Sequence, residues 1–101
     1  MASSIIAELA IFPTSEGSSV SRYVREVIRI IEASGLKSET GGMSTAIEAP
    51  DWPSLWRVIE AADAVLAKMG AARIHIDLRI DHRLDKGATL ASKKAAVGRN
   101  G

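Results

Sequence analysis

Aliphatic and polar residues alternate most strictly near the end of the chain, over residues 72–82. Every second position from Ile74 to Ile80 is aliphatic, and the positions between them are charged or histidine. Alternation at period two is typical of a strand with one buried face and one wet face. The same signal, less regular, predicts three further strands over residues 5–12, 36–41 and 43–49. The paired Gly41 and Gly42 favour a tight reversal between the last two of these.

Two other stretches repeat apolar residues every three or four positions, which is the spacing of an amphipathic helix. The first begins near Ser18 or Ser19, either of which can cap a helix, and it ends at Gly35. The second begins at Asp51, another capping residue, and ends at Gly70. Both helices are therefore predicted to bury one face and to expose the other.

The predicted order of elements is βαββαβ, which favours an α+β, ferredoxin-like fold. Right-handed crossovers lead this order to a four-stranded antiparallel sheet with two helices on one face, in which the first and third strands are central. All 101 residues are expected to form one domain, with a core over residues 5–82 and a basic tail over residues 83–101, in which Thr89 can cap a short helix over about 90–97. Beneath the two long helices should lie the aliphatic residues of the last strand: Ile74, Ile76, Leu78 and Ile80.

The sheet face opposite the helices, here termed the open face, is predicted to mix charges with small and aromatic residues. Its polar members are Glu8, Glu48, His75, Asp77 and Arg79. A fully solvated face rarely needs apolar residues, yet Ala10, Phe12 and Ala46 are expected there as well. Contact with the same face of a second copy is therefore the favoured interpretation. A solvated face with weak surface ion pairs and the floor of a ligand site are the alternatives.

A second polar group is expected at one end of the sheet, where the first loop, the start of the first helix and the Gly-Gly hairpin meet. It comprises hydroxyl-bearing and small residues: Thr14, Ser15, Ser18, Ser19, Ser21, Gly42, Met43, Ser44 and Thr45. The free backbone N–H groups of a helix N-terminus suit anions and hydrogen-bond acceptors. Ordinary capping and turn chemistry is the alternative for each serine.

Composition narrows the classes of function. The chain is 47% apolar and 25% charged with a formal net charge of +1, which argues against a general nucleic-acid or membrane-surface role. No apolar run approaches the roughly 18 residues of a membrane span, and no secretory signal is visible after Met1. The absence of cysteine excludes disulfides and thiolate chemistry. A cytoplasmic protein without nucleic-acid or membrane partners is therefore expected.

Residues with distinctive side-chain chemistry give no sign of a metal or catalytic centre. His75 and His82 are seven positions apart, which places them on opposite faces of a strand, so no shared metal site is expected. No P-loop or nucleophile elbow is present, so neither a cofactor nor catalysis is predicted. Glu48 would repel phosphate on a strand where RNA-recognition modules of this topology stack bases. Trp52 and Trp56 are expected in the core or an interface, with a cationic ligand as the alternative.

Four ordered segments resemble the small thiamine-binding protein family, the YkoF-like group of ferredoxin-like proteins. They are Glu8–Pro13, Ser19–Val24, Met43–Glu48 and Asp81–Arg83, followed by a tail lysine near Val97. The resemblance extends over about residues 5–97. It rests on the order and spacing of the whole set, since each segment alone is weak.

The resemblance implies non-catalytic binding of thiamine or its hydroxymethylpyrimidine part, by a homodimer or homotetramer that assembles through its sheet faces. The binding residues that it implies are Ser21, Tyr23, Thr45 and Glu48, with Glu8 behind them. An aminopyrimidine offers an amino donor and ring-nitrogen acceptors, which carboxylates and hydroxyls can satisfy. Thr45 and Glu48 are expected on opposite sheet faces, so one pocket within one subunit can hardly use both. The alternative function is an oligomeric structural or regulatory domain whose polar face serves assembly only.

Overall fold

The computed structural model describes residues 4–17, 20–85 and 89–91, and it shows the βαββαβ order. The strands are β1 (Ser4–Pro13), β2 (Lys37–Thr40), β3 (Thr45–Ala49) and β4 (Ile74–Arg83), and the helices are α1 (Ser21–Ala33) and α2 (Trp52–Lys68). Neighbouring strands pair antiparallel, in the order β2-β3-β1-β4. The fold is therefore α+β and ferredoxin-like, as the sequence predicted.

The core lies between the two helices and the central strands of the sheet. β1 turns its alternating aliphatic residues toward the helices, and Ile5, Ala7, Leu9 and Ile11 are all buried there. β3 and the helices complete the core with Ile47, Tyr23, Val27, Ile31, Leu55, Val58, Ala62 and Leu66. Because β1 and β3 have a neighbour on each side, their inward side chains are fully covered, and this apolar burial is the main stabilising contribution.

Only one helix begins at its predicted cap. Asp51 caps α2 by accepting a hydrogen bond from the Ser54 backbone N–H at 2.8 Å, and the hydrogen bonds from Ser54 hold the pKa of the Asp51 carboxyl below its usual range. α1 has Val20 in the cap position, and this side chain has no hydrogen-bond acceptor. Ser18 and Ser19, the predicted caps, lie outside the described residues. Neither described helix has both the length and the apolar character needed to cross a bilayer.

β4 lies at the edge of the sheet, and two of its isoleucines are more exposed than predicted. Ile76 pairs with Ile11 and Ile80 pairs with Ala7, so both belong to the helix side of the sheet. They nevertheless remain 41% and 36% exposed. The expectation that the aliphatic residues of this strand all lie beneath the helices is wrong for these two, because the helices pack over the central strands and leave the edge open. The other two pack against the core.

The loop of the β2–β3 hairpin is wider than predicted. Thr40 pairs with Thr45, and the Gly41 backbone N–H donates to the Ser44 carbonyl oxygen at 2.9 Å. Neither Gly41 nor Gly42 adopts the positive φ that a tight two-residue turn requires. β3 therefore begins at Thr45 rather than at residue 43, and four loop residues stand between the strands.

Trp52 and Trp56 lie at the surface rather than in the core. Their rings stack with centroids 6.2 Å apart, and the Trp52 ring meets the His82 ring edge-on at 5.2 Å. His82 pairs with Ile5 on the helix side, whereas His75 lies on the open face. The two histidines therefore lie on opposite faces, as the sequence predicted.

Candidate functional site

A cleft of about 290 Å³ opens between α1 and the β2–β3 hairpin, and we term it the hairpin cleft. Its apolar wall comes from α1 and the residue before it, through Val20, Val24, Val27 and Ile28. The opposite wall is the hairpin itself, from Thr40 to Thr45, and part of β1 forms the floor. This volume is close to the lower limit of the roughly 300–1,000 Å³ typical of small-molecule sites.

Thr45 supplies a buried hydroxyl to the hairpin cleft. It pairs with Leu9 on the helix side of the sheet, and it is only 6% exposed. Its Oγ1 atom lies 3.4 Å from Oγ1 of Thr40. Hydroxyl hydrogen bonds are usually about 2.7–2.8 Å long, so this contact is weak. A buried hydroxyl with one weak partner can therefore exchange that partner for a polar atom of a ligand.

Glu8 lies on the open face, where it pairs with Ala46 of β3. The Ser44 hydroxyl donates a hydrogen bond to its carboxylate. A second hollow, of about 200 Å³, is lined by Glu8 and Ser44 together with Asp77 and Arg79 of β4. Met43, which is 91% exposed, lines both hollows. The hairpin thus separates a mostly apolar cleft with hydroxyls from a hollow lined by charges.

Glu48 lies on the other side of the sheet from Thr45. It pairs with Ile6 on the open face, so the prediction that these two site candidates lie on opposite faces is confirmed. The Leu90 backbone N–H donates to the Glu48 carboxylate at 3.4 Å. Ile6 and Leu90 are only 7% and 8% exposed, so the start of the tail covers this end of the open face. The helix predicted over about 90–97 lies almost entirely outside the described residues.

Tyr23 is buried in the core, and its hydroxyl belongs to a polar network beside the first loop. The hydroxyl donates to the Glu16 carboxylate at 3.0 Å and accepts from the Arg22 guanidinium at 2.6 Å. Ser15 donates to the same carboxylate at 2.7 Å. The hydrogen bonds from Ser15 and Tyr23, with the nearby charge of Arg22, hold the pKa of the Glu16 carboxyl below its usual range. Ser21 is exposed at the start of α1.

The structure therefore places one of the five predicted binding residues, Thr45, in the hairpin cleft. Glu8 lies on the opposite face of the sheet and lines the second hollow, and the other three line neither. Thr40 is a lining residue that sequence reasoning missed. The sequence contained an indication of this position, because Thr40 and Thr45 flank the turn at the spacing of a cross-strand pair.

The arrangement suits a small, flat molecule with polar edges. Two threonine hydroxyls, those of Thr40 and Thr45, can each donate or accept. Met43 offers a flexible thioether of the kind that packs against flat rings. The valines of α1 supply the apolar surface on which a ring can lie.

Comparison with known proteins gives relatives over nearly the whole chain. The sequence pattern of the family described as thiamine-binding protein matches residues 7–98. UPF0045 protein MJ1052 of Methanocaldococcus jannaschii is 36% identical over 94 residues, which cover 93% of this chain and 92% of that protein. UPF0045 protein YqgV of Bacillus subtilis is 37% identical over 100 residues, which cover 94% of this chain and 95% of that protein.

Solved structures share the fold. The crystal structure of MJ1052 matches with a TM-score of 0.86 at 33% identity, covering 94% of this chain and 96% of that one. The TM0486 protein of Thermotoga maritima, assigned provisionally to thiamine biosynthesis or salvage, matches with a TM-score of 0.79, covering 93% and 98%. At 20% identity this second likeness shows the fold alone. Because the family pattern and the relatives above 30% identity extend over nearly the whole chain, the protein belongs to the thiamine-binding protein family.

Proposed function

We propose that the protein binds thiamine or its hydroxymethylpyrimidine part in the hairpin cleft, without chemical change to the ligand. The observation that carries this proposal is the buried, weakly partnered hydroxyl of Thr45 inside a mostly apolar cleft. Membership of the thiamine-binding protein family gives the class of ligand. The pyrimidine part is favoured as the group in the cleft, because the cleft is small and its polar atoms lie on one wall.

The aminopyrimidine ring matches the groups that the cleft presents. Its ring nitrogens can accept from the Thr45 and Thr40 hydroxyls, and its amino group can donate to a hydroxyl oxygen. Val24 on one side and Met43 on the other are placed to contact the faces of the ring. The cationic thiazolium of thiamine would then lie toward the charged hollow, where the negative charge of Glu8 favours it.

The remaining predicted binding residues have a different place in this proposal. Tyr23 and Glu48 are engaged by Glu16 and by the Leu90 backbone, respectively. We expect substitutions of Ser21, Tyr23 and Glu48 to weaken binding less than a substitution of Thr45, because none of the three lines the cleft.

Isothermal titration with thiamine and, separately, with hydroxymethylpyrimidine tests the proposal. Thr45→Val keeps the shape of the side chain and removes the hydroxyl, so affinity should fall by about 1–3 kcal/mol, roughly 5- to 150-fold. Thr14→Val, in the exposed first loop, is the matched control and should bind like the wild type. Mass spectrometry of the recovered ligand should show unaltered thiamine.

Two results would end this proposal. One is wild-type protein that gives neither heat nor a thermal shift with millimolar thiamine or hydroxymethylpyrimidine. The other is a folded Thr45→Val variant with wild-type affinity, which would remove the hairpin cleft as the site even if the protein binds thiamine elsewhere.

A second candidate function is assembly alone, through the open face. The observation that favours it is the half-buried Phe12, whose ring lies 5.2 Å from the His75 ring on that face. Ala10 and Ala46 lie on the same face and are also only half-buried. An oligomer that forms without any ligand, in a protein that fails the titration above, would favour this function.

A further inference from the structure

Met43 is the most exposed sulfur-containing side chain among the residues that the structure describes. The chain has three methionines and no cysteine. Met43 is 91% exposed in the loop of the β2–β3 hairpin, whereas Met69 is half-buried at the end of α2 and packs against the core. Met1 lies outside the described residues. Because a dissolved oxidant must reach the sulfur atom, Met43 should be oxidised before Met69.

Met43 lies between two hollows of different chemistry. On one side is the hairpin cleft, whose wall on α1 is formed by valines and an isoleucine. On the other side is the hollow of about 200 Å³ that Glu8, Ser44, Asp77 and Arg79 line, here termed the charged hollow. Met43 lines both. Since methionine is unbranched and has three rotatable bonds, this side chain can turn toward either hollow.

Arg79 provides the hydrogen-bond donors of the charged hollow. Its neighbour Glu8 on β1 accepts a hydrogen bond from the Ser44 hydroxyl, and the Asp77 carboxylate lies 3.8 Å from Nε2 of His75. Within the described part of the chain, the Arg79 guanidinium has neither an ion pair nor a hydrogen bond. It therefore offers its N–H groups to any acceptor that enters the charged hollow.

We propose that Met43 is an oxidation site that controls the hairpin cleft. The proposal rests on the function proposed above, because its effect is on ligand affinity. A lone pair of Sδ attacks one oxygen of hydrogen peroxide, an S–O bond forms and the O–O bond breaks. The proton of the transferred hydroxyl passes to the leaving hydroxide, which becomes water. Sulfur loses the two electrons that the peroxide gains, and the product is methionine sulfoxide.

Oxidation changes which hollow suits the side chain. The thioether is apolar and packs against aliphatic side chains or a flat ring. The sulfoxide oxygen is a polar acceptor, so an apolar wall would leave it without a hydrogen bond, whereas the Arg79 guanidinium can donate to it. The oxidised side chain therefore turns from the hairpin cleft to the charged hollow, and a ligand ring in the cleft loses one of its apolar contacts.

Controlled oxidation of the purified protein tests the order of reaction and its effect together. After treatment with hydrogen peroxide and removal of the oxidant, peptide mass spectrometry should find oxygen on Met43 before it appears on Met69. Isothermal titration of the same sample with thiamine should show an affinity lowered by about 2- to 10-fold, the size of a lost contact between sulfur and a ring. Reductases specific for the two sulfoxide epimers, with dithiothreitol as reductant, should restore it.

Two variants of Met43 separate oxidation of this residue from other effects of peroxide. Met43→Leu removes the sulfur and should abolish the response to peroxide, whatever its affinity before treatment. Met43→Gln places a polar side chain of similar length there, and should bind more weakly than Met43→Leu without any peroxide. Met69→Leu is the matched control, and its affinity should fall on oxidation as that of the wild type does.

Arg79→Ala tests the turn to the charged hollow. Without the guanidinium the sulfoxide has no donor to hold it away from the cleft, so oxidation should lower the affinity of this variant less than that of the wild type. Arg57→Ala removes an exposed arginine on α2 that lines neither hollow, and should respond like the wild type. An equal loss in Arg79→Ala and in the wild type would overturn the turn to Arg79.

The outcomes separate this proposal from the function on which it rests. Oxidation of Met69 before Met43, or an unchanged affinity once Met43 is oxidised, would overturn the proposal and leave thiamine binding intact. Wild-type protein that binds neither thiamine nor hydroxymethylpyrimidine would overturn the proposed function and the control of affinity together. Peptide mass spectrometry would still decide in that case whether Met43 is the oxidation site.

Discussion

At the scale of the residue, the partners of a hydroxyl indicate its role. The Tyr23 hydroxyl has short partners on both sides, Arg22 and Glu16, whereas the Thr45 hydroxyl has one contact at 3.4 Å. A hydroxyl that already makes two short hydrogen bonds gains little free energy by binding a ligand, because it must first lose those hydrogen bonds. We therefore expect a substitution of Tyr23 to change the pKa of Glu16, and a substitution of Thr45 to change the affinity for the ligand.

The Glu16 carboxyl provides the residue-scale prediction. Its pKa lies below the usual range because Ser15 and Tyr23 donate to it. A carboxyl with a pKa lower in the folded state stabilises the fold above its unfolded pKa, and this contribution is lost as the pH falls through the folded pKa. Tyr23→Phe removes one donor, so the Glu16 pKa should rise toward its ordinary value and the fold should lose less stability on acidification.

Carbon-13 NMR titration of the Glu16 carboxyl measures this pKa. Ser15→Ala is the companion variant, and it should raise the pKa further than Tyr23→Phe does, because the Ser15 hydrogen bond is the largest cause of the lowering. A Glu16 pKa that is the same in the wild type and in both variants would contradict the hydrogen-bond network.

At the scale of the element, the end of α1 depends on a backbone conformation that most residues avoid. Gly35 follows the helix with φ of 82°, and a Cβ atom built there meets nothing within 4 Å. The cost of Gly35→Ala is therefore that of the left-handed conformation alone, about 1–2 kcal/mol. Urea denaturation should show a loss of that size, and Gly35→Asn should lose less, because asparagine tolerates this conformation.

Gly42 supplies the control for this prediction. It has no positive φ and no atom within 4 Å of a built Cβ, so Gly42→Ala should leave the free energy of unfolding within about 0.5 kcal/mol of the wild type. A Gly35→Ala variant that is as stable as Gly42→Ala would show that the end of α1 does not need the left-handed residue.

At the scale of the whole molecule, the open face combines covered and uncovered parts. Leu90 covers Ile6 at one end, while Phe12 and His75 stay partly accessible at the other. We predict that this face mediates part of a homo-oligomer. Phe12→Asp should then reduce the mass measured by light scattering, because it buries an unpaired charge where apolar area was covered.

Thr14→Asp, in the exposed loop that follows β1, adds the same charge outside the face and should leave the mass unchanged. A wild-type protein that is a monomer at micromolar concentration and moderate salt, or an unchanged mass for Phe12→Asp, would contradict the open-face contact.

The periodicity of the sequence by itself determined the six elements, their order and the fold class. Hydrophobic period is a local property, so the alternation of β1 and the three- and four-residue spacing of α1 and α2 could be predicted without the fold. The cap at Asp51 and the opposite facing of Thr45 and Glu48 could be predicted for the same reason. The ordered segments also indicated the family, which the pattern over residues 7–98 confirms.

Only the tertiary structure decided which aliphatic residues are covered and which hydroxyls share a cleft. Ile76 and Ile80 alternate as regularly as the residues of β1, yet they stay exposed because their strand is at the edge and the helices pack elsewhere. Thr45 and Tyr23 were equal candidates for ligand binding in the sequence, but they lie apart in the structure. The hairpin that carries Thr45 packs against one part of α1, whereas the Tyr23 hydroxyl donates to Glu16 in the first loop. Exposure and proximity depend on how elements pack, and no local pattern contains that information.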